Sequence, residues 1–370
     1  MPDTLDPATA RSRATAPLAV AESRDFAVYQ DYLRVTRTFM EGPLFADMRK
    51  SYDAAVTARG IAVPRTPDEA MPVVDDLLAF QIYCWAYRHL QRFKYHRPDL
   101  GIFDIVESDR ARLAAALDAA AATAGDALRL DPGIAMPDYY RMIDFHQHTG
   151  GVWSDALDGL VYEIGRRTTT PSHLDPNAIY RMAYSQIPDG QYARVLDWGT
   201  GHGAGLREWQ ALHPESECHG VDISAPCLKL AHLRAREAGM RMVFSQQDLE
   251  CLDYADDSFD LVFHLFMFHE IPPVNLKAML KEVHRILKPG GLFAGPEFGI
   301  TGEDAFVDVV RMSHAWTNNE SLSVAWYRAD IAKMARDAGF RRVQIGPFAP
   351  MQRKGADDGR DVWKHYLFEK

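Results

Sequence analysis

The sequence predicts a doubly wound parallel α/β sheet in the C-terminal half, preceded by an all-helical N-terminal domain. Three observations carry this. After about Gly190, short β-rich runs alternate with amphipathic helical segments, the signature of a doubly wound sheet. The first 130 or so residues show helical periodicity instead. Between the two rhythms, Val195-Leu196-Asp197-Trp198-Gly199-Thr200-Gly201-His202-Gly203 reads as a hydrophobic strand running into a glycine-rich turn and then a helix.

The elements follow in order. Residues 1–20 mix Ala, Thr, Pro, Asp and Arg and read as a flexible arm. Phe26, Tyr29, Leu33 and Thr36 share one helical stripe, continued by Leu44, Met48 and Tyr52 past the Gly42-Pro43 break. A second helix is expected over 75–93, with Leu78, Ile82, Trp85, Ala86 and Phe93 on one face as helix core or a dimer surface. A third starts at Ser108 as N-cap and runs to Leu130, where Asp131-Pro132-Gly133 stops it. The aromatic and polar stretch 136–188 is broken by Gly150-Gly151 and by Thr168-Thr169-Thr170-Pro171, and Asp175-Pro176 opens a helix through Tyr184. Strands are predicted at 193–197, 217–222, 241–245, 259–264, 291–296, 341–345 and 361–368, and a late helix at 328–338. The domains are therefore drawn at 21–175 and 176–370.

Composition excludes several classes. The 370 residues, 47% hydrophobic and 25% charged, suffice for two domains with a sizeable core. Fifty-one acids against 41 Lys and Arg give a net charge of −10, which disfavours nucleic-acid and anionic-membrane binding. No apolar run reaches the roughly 18 to 20 residues of a membrane span, and the N-terminus lacks the apolar core of a secretory signal. Four scattered cysteines with no C-x-x-C pair fit a reduced, cytoplasmic protein.

The glycines of the loop permit positive φ and close approach of a ligand to the backbone. Gly199-x-Gly201-x-x-Ala204 also satisfies the relaxed dinucleotide fingerprint, so an NAD(P) enzyme is a competing reading, as is a tight turn without a ligand. The carboxylates around the loop separate these. Asp222 ends the second strand, where it can accept hydrogen bonds from ribose hydroxyls, and Asp248 follows the third, placed for an adenine amine. Asp197 stands two residues before the first glycine, where it would repel a pyrophosphate but suit a cationic ligand. S-adenosylmethionine carries a sulfonium and an ammonium and no phosphate.

With these motifs, together with GVDIS at 220–224, DDSFDLV at 256–262, LKEVHRILKPGGLF at 280–293 and the helix ending at Gly339-Phe340, the chain resembles the class I S-adenosylmethionine-dependent methyltransferases over about 193–370. The resemblance implies a Rossmann-like methyltransferase sheet and S-adenosylmethionine as cofactor. It places Asp197, Gly199, Gly201 and Gly203 at the methionine end, Asp222 on the ribose, and Asp248 with the Leu249 backbone on the adenine. Ile223 would pack against the adenine, or serve only as sheet filler, and His264 would lend backbone contacts to the amino-acid end.

The layout is similar to the two-domain small-molecule O-methyltransferases, in which a histidine in a His-acid pair after strand four serves as base. His269, in Phe268-His269-Glu270, is the candidate here, with packing or helix capping as its structural alternative. Acceptor contacts are expected from Glu297 at the end of strand five and from Trp316 and Asn319 in the segment 297–323, for which a surface turn followed by a helix is the alternative. His146, His148 and Trp153 of the helical half are expected to line an aromatic lid, with ordinary interdomain hydrogen bonding as the alternative. No metal is expected, because methyl transfer from a sulfonium needs none. The expected reaction is methylation of a small-molecule oxygen nucleophile in secondary or cofactor metabolism, with the helical half as lid and homodimer interface. N- or C-methylation and a non-catalytic cofactor-binding scaffold are the alternatives.

Overall fold

The computed structural model describes residues 18–169, 175, 177–348 and 363–370. Nearly all of the expected arm, Thr170, Pro171, Pro176 and the start of the last expected strand lie outside them. Eight strands form one sheet: β1 (Leu128–Arg129), β2 (Arg194–Trp198), β3 (Glu217–Asp222), β4 (Met242–Gln246), β5 (Phe259–Phe263), β6 (Leu287–Phe298), β7 (Arg342–Pro347) and β8 (Trp363–Glu369). Their spatial order is β1-β4-β3-β2-β5-β6-β8-β7. All neighbours are parallel except β8, which runs antiparallel to both β6 and β7. This is the Rossmann-like α/β sheet that the strand–helix alternation predicts.

Side-chain alternation on these strands builds a core on each face. Leu196 and Trp198 join Phe259, Val262 and Phe293 beneath the helix Pro273–Ile286. Val195 points the other way, with Phe244, Leu261 and Phe263, under the helices Ala178–Tyr184 and Ala204–Leu212. The helix Ala225–Glu237 starts at Ser224, whose Oγ accepts from the Cys227 amide, and has apolar residues on two sides. Leu228 and Ala231 meet the sheet core, while Leu230 and Leu233 pack against Leu113, Leu117 and Leu160 of the helical half.

The helical half is therefore not a separate body. Its helix Pro67–Val74 packs on Ala305–Met312, and its two-residue strand β1 pairs with β4 as the outermost strand. That strand corrects the all-helical expectation: the third helix covers only Arg110–Ala122, and the chain then turns and extends into the sheet. Ser108 bonds to the Ile105 carbonyl instead of capping. The second helix runs Leu78–His96, and its buried face is Phe80, Tyr83, Tyr87 and Tyr95. Leu78, Ile82, Trp85 and Phe93 face solvent, so the core alternative for that stripe is corrected. Both faces of this helix are aromatic, and the tyrosines read as the polar side.

Candidate active site

β2 is where the chain reverses direction across the sheet. β3 and β4 extend to one side of it and β5 and β6 to the other, and a crevice opens at the carboxyl ends where the order switches. The parallel register sets Asp197 level with Gly220 and Asp222 level with Gln246, so the carboxylates after three successive strands share one edge. A cavity with about 920 Å³ of unfilled space, its solvent-facing mouth included, lies over that edge. Its floor includes Gly199, Gly201, Asp222, Ile223, Asp248 and Leu249. Its roof comes from the helical half, through Tyr139, Tyr140, Phe145, His146, Val152 and Tyr162.

The floor is built for a ligand with hydroxyls and a positive charge. Gly199, Gly201 and Gly203 all have positive φ, and a Cβ on Gly201 would enter open space, with Tyr162 at 3.7 Å its nearest neighbour. Asp222 braces the loop, accepting from the Gly201 amide at 2.8 Å and the Ser224 amide at 2.9 Å. Burial raises its pKa against these hydrogen bonds. Asp197 is buried, accepts from the Thr200 hydroxyl at 2.8 Å and from the Leu206 backbone, and has no cation partner among the described residues. Burial and the neighbouring Asp222 push its pKa up to about 7. A buried carboxylate in that condition is stabilised by an incoming ammonium. These residues fit S-adenosylmethionine.

The far end of the cavity is polar. Glu270 lines it, and His146 Nε2 lies 2.7 Å from Glu270 Oε1. On its other side His146 Nδ1 is 3.2 Å from Glu320 Oε1, and Asn318 reaches both His146 and Glu320. Burial opposes a charge on His146, but Glu270 and Glu320 outweigh it and raise its pKa to about 9. His146 and Gln147 are both held at positive φ, 58° and 62°, a backbone that non-glycine residues adopt only when surroundings fix it.

Behind Glu270 lies a second pair. His269 Nδ1 is 2.7 Å from Glu297 Oε1, and the fully buried Glu297 also accepts the Phe268 and Phe298 amides at 2.6 and 2.7 Å. His269 Nε2 has no hydrogen-bond partner among the described residues and stands 3.9 Å from Glu270 Oε1. Burial works against the His269 charge, but Glu297, then Glu320 and Glu270, carry its pKa up to about 10.

Of the residues singled out from sequence, the cavity gathers Gly199, Gly201, Asp222, Ile223, Asp248, Leu249 and His146 on its wall. Asp197 and Gly203 sit beneath the loop. His269 and Glu297 form the supporting pair just described. His264 is away from the wall: its amide is spent on the Ala294 carbonyl, and its ring stacks on Phe268 at 4.1 Å in the aromatic core. His148 is buried against Tyr95 and Phe103 with Asp158 3.0 Å from its Nε2. Trp153 lies on Gly151, beside the cavity and not in it. Trp316 is half exposed beneath the Arg88 guanidinium, and Asn319 donates to the Asp144 carbonyl, tying the insert to the His146 loop. In the sequence Glu270 stands out only as the acid beside His269, and Glu320 only within a polar run. Met267, which covers Gly199, carries no sequence signal. Among the described residues no group of three or more His, Cys, Asp or Glu could hold a metal ion.

Comparison with known proteins agrees with this edge. The family model described as a methyltransferase domain matches residues 195–291. Over 116 residues the chain is 34% identical to a phthiotriol/phenolphthiotriol dimycocerosates methyltransferase of Mycobacterium tuberculosis, covering 31% of this chain and 41% of that one. Over 107 residues it is 36% identical to a ubiquinone/menaquinone biosynthesis C-methyltransferase of Bdellovibrio bacteriovorus, covering 29% and 44%. The chain thus spans less than half the length of these curated relatives. Among solved structures, a phosphoethanolamine N-methyltransferase 2 of Haemonchus contortus bound to S-adenosyl-L-methionine aligns with 20% identity and a TM-score of 0.44, over 64% of this chain and 60% of that one. Strand order, acid-tipped edge and family match together identify the sheet half as a class I S-adenosylmethionine-dependent methyltransferase domain, with S-adenosylmethionine as its cofactor.

Proposed function

We propose that this chain methylates a small-molecule oxygen nucleophile held between the sheet edge and the helical roof. The observation that carries the reading is that one cavity joins Gly199, Asp222 and Asp248 to the Glu270–His146 pair. Asp222 would hold the ribose hydroxyls, Asp248 the adenine amine, Ile223 and Leu249 the adenine faces, and Asp197 the ammonium. Bound there, S-adenosylmethionine supplies an electrophilic methyl group on a sulfonium. The chain's own residues supply the rest. Tyr139, Tyr140, Phe145 and Tyr162 exclude water and favour a planar, aromatic or otherwise apolar acceptor. Glu270 faces that acceptor and takes its hydroxyl proton, with the His146 imidazolium orienting the carboxylate.

His269, off the cavity wall with its Nδ1 on Glu297 and its Nε2 3.9 Å from Glu270, serves in this reading as a supporting charge behind Glu270 and not as the first proton acceptor. Transfer to carbon is a second reading, favoured by the matched stretch shared with the C-methyltransferase. The helical half also presents a surface for a second copy of the chain. Val28, Tyr32, Val35 and Phe39 are exposed on the helix Arg24–Phe39, and Leu78, Ile82, Trp85 and Phe93 on the adjoining Leu78–His96. All eight are large apolar or aromatic side chains, the kind that the core of an interface between copies buries. Among the described residues no helix is long and apolar enough to cross a membrane; with its four cysteines free, we read the enzyme as cytoplasmic.

The test is purified protein with S-adenosylmethionine and metabolite extracts, scored by mass spectrometry for products heavier by one CH₂. Asp222→Ala should abolish cofactor binding in calorimetry. Glu270→Gln should keep binding and lose on the order of 10² in kcat. Absence of cofactor uptake, or uptake untouched in Asp222→Ala, overturns the reading; Glu270→Gln with full turnover overturns the proton role and leaves transfer to carbon.

A further inference from the structure

A second cleft in the helical half has no place in methyl transfer. It lies between the helices Arg24–Phe39 and Leu78–His96 and the end of Asp158–Thr169, and is lined by Arg37, Tyr87, Gln91, Lys94, Thr168 and Thr169. Lys94 is 2% exposed and Gln91 5% exposed, yet both border this cleft. Among the described residues the Lys94 ammonium has no hydrogen-bond or carboxylate partner, and it stands over the Tyr95 ring, 4.3 Å away. The Gln91 side chain likewise bonds to nothing described. Arg37, the second cation, is already engaged by Glu41 at 2.9 Å and by the Tyr87 hydroxyl. It therefore adds positive potential at the cleft without offering Lys94 a counter-charge.

We propose that this cleft binds a small anion, held by the Lys94 ammonium and the Gln91 amide. An ammonium enclosed to this degree is costly unless it sheds its proton, keeps water at the cleft mouth or gains a counter-ion. Burial, with Arg37 as a like charge, depresses the Lys94 pKa well below its usual value, and a bound anion would act against both causes. The carboxylate nearest Arg37 is bound to Arg37 itself, so a counter-charge for Lys94 would come from outside the described chain. The cleft is narrow at its centre, so a halide, or one oxygen of a phosphate, sulfate or carboxylate, would reach Lys94 and Gln91 from the mouth. Thr168 and Thr169 lie six and seven residues beyond Tyr162 on one helix, a rise of roughly 9 to 10 Å. An anion here would clamp the far end of a helix that roofs the methyl-transfer cavity, and the inference stands whether or not that cavity methylates oxygen.

The experiment compares the full chain in sodium chloride and in sodium gluconate of equal ionic strength near pH 7. Chloride at about 0.2 M should raise Tm by a few degrees over gluconate, and the protein should broaden the chloride-35 resonance. Inorganic phosphate is the second arm: displacement of chloride by phosphate assigns the site to oxyanions, and failure to displace assigns it to halides. Lys94→Met should remove both effects. A bromide soak should place anomalous density within about 3.5 Å of Lys94 Nζ, a readout that needs no variant. Equal Tm values with no line broadening, or density elsewhere only, overturns the proposal and leaves a neutral lysine beside water. Retention of the chloride effect in a folded Lys94→Met protein also overturns it.

Discussion

Replacing Glu297 by Gln tests the buried charge pair behind the cavity. Glu297 accepts from His269, from the Phe268 amide and from the Phe298 amide, and is fully buried. A glutamine keeps the shape but removes the charge, and turns an amide N–H toward one of these donors. The His269 pKa, raised from 6.5 to about 10, corresponds to on the order of 5 kcal/mol favouring the charged ring. Because the folded-state pKa lies above the unfolded one, this stability is fully present below about pH 6.5 and is lost as pH rises toward 10. His269 faces Glu297, Glu320 and Glu270, with His264 the nearby group of opposing effect. Without Glu297, burial pushes the ring toward neutrality.

Urea denaturation at fixed pH values from 6 to 9.5 should therefore show wild-type stability falling with pH. The variant should be less stable by about 3 kcal/mol at pH 6.5, with a shallower decline above it. The His146 contribution, from a pKa of about 9, persists in both. Imidazole NMR should show the His269 ring titrating only above pH 9 in the wild type and near or below neutrality in the variant. An unchanged stability slope, or a wild-type ring that titrates near pH 6.5, would refute the reasoning.

Asp197→Asn should weaken S-adenosylmethionine binding and flatten its pH dependence. In the wild type, affinity should rise between about pH 6 and 8 as Asp197 ionises, by up to about tenfold per unit below its pKa, with proton release seen by calorimetry in two buffers. Gly203→Ala should cost about 2 to 4 kcal/mol in urea denaturation. Its φ is +70° and the new Cβ would stand 2.8 Å from Ala231 Cβ and 3.2 Å from the Phe244 ring. Trp85→Asp, at a position 59% exposed, should leave the monomer's stability nearly unchanged and shift sedimentation from dimer to monomer.

The cofactor edge was legible because it is local. Gly199 and Asp222 lie within one strand–helix–strand unit, and parallel pairing carries Asp248 to the same level. The polar end of the cavity was not. His146 and Glu270 are 124 residues apart, and His146 and Asn318 are 172 apart, so no periodicity links them. His269 and Glu297 were each visible after or at the end of a strand segment, but their pairing depends on the Phe268 and Phe298 amides, which hold the Glu297 carboxylate against His269. Strands β2 to β6 matched their sequence pattern to within a few residues. β1 escaped notice because two residues make no alternating pattern.

That short strand has a practical consequence for dissecting the enzyme. Leu128 and Arg129 pair along β4, and the chain then leaves through Asp131-Pro132-Gly133. Only two residues long and followed by a proline, it blunts the rim of the sheet against intermolecular strand addition. A fragment cut near residue 176 to isolate the sheet half would strip this cover and expose Phe244 and Ser245 along a bare rim. Truncation studies should therefore carry residues 128–133 along, or fuse a surrogate strand in their place.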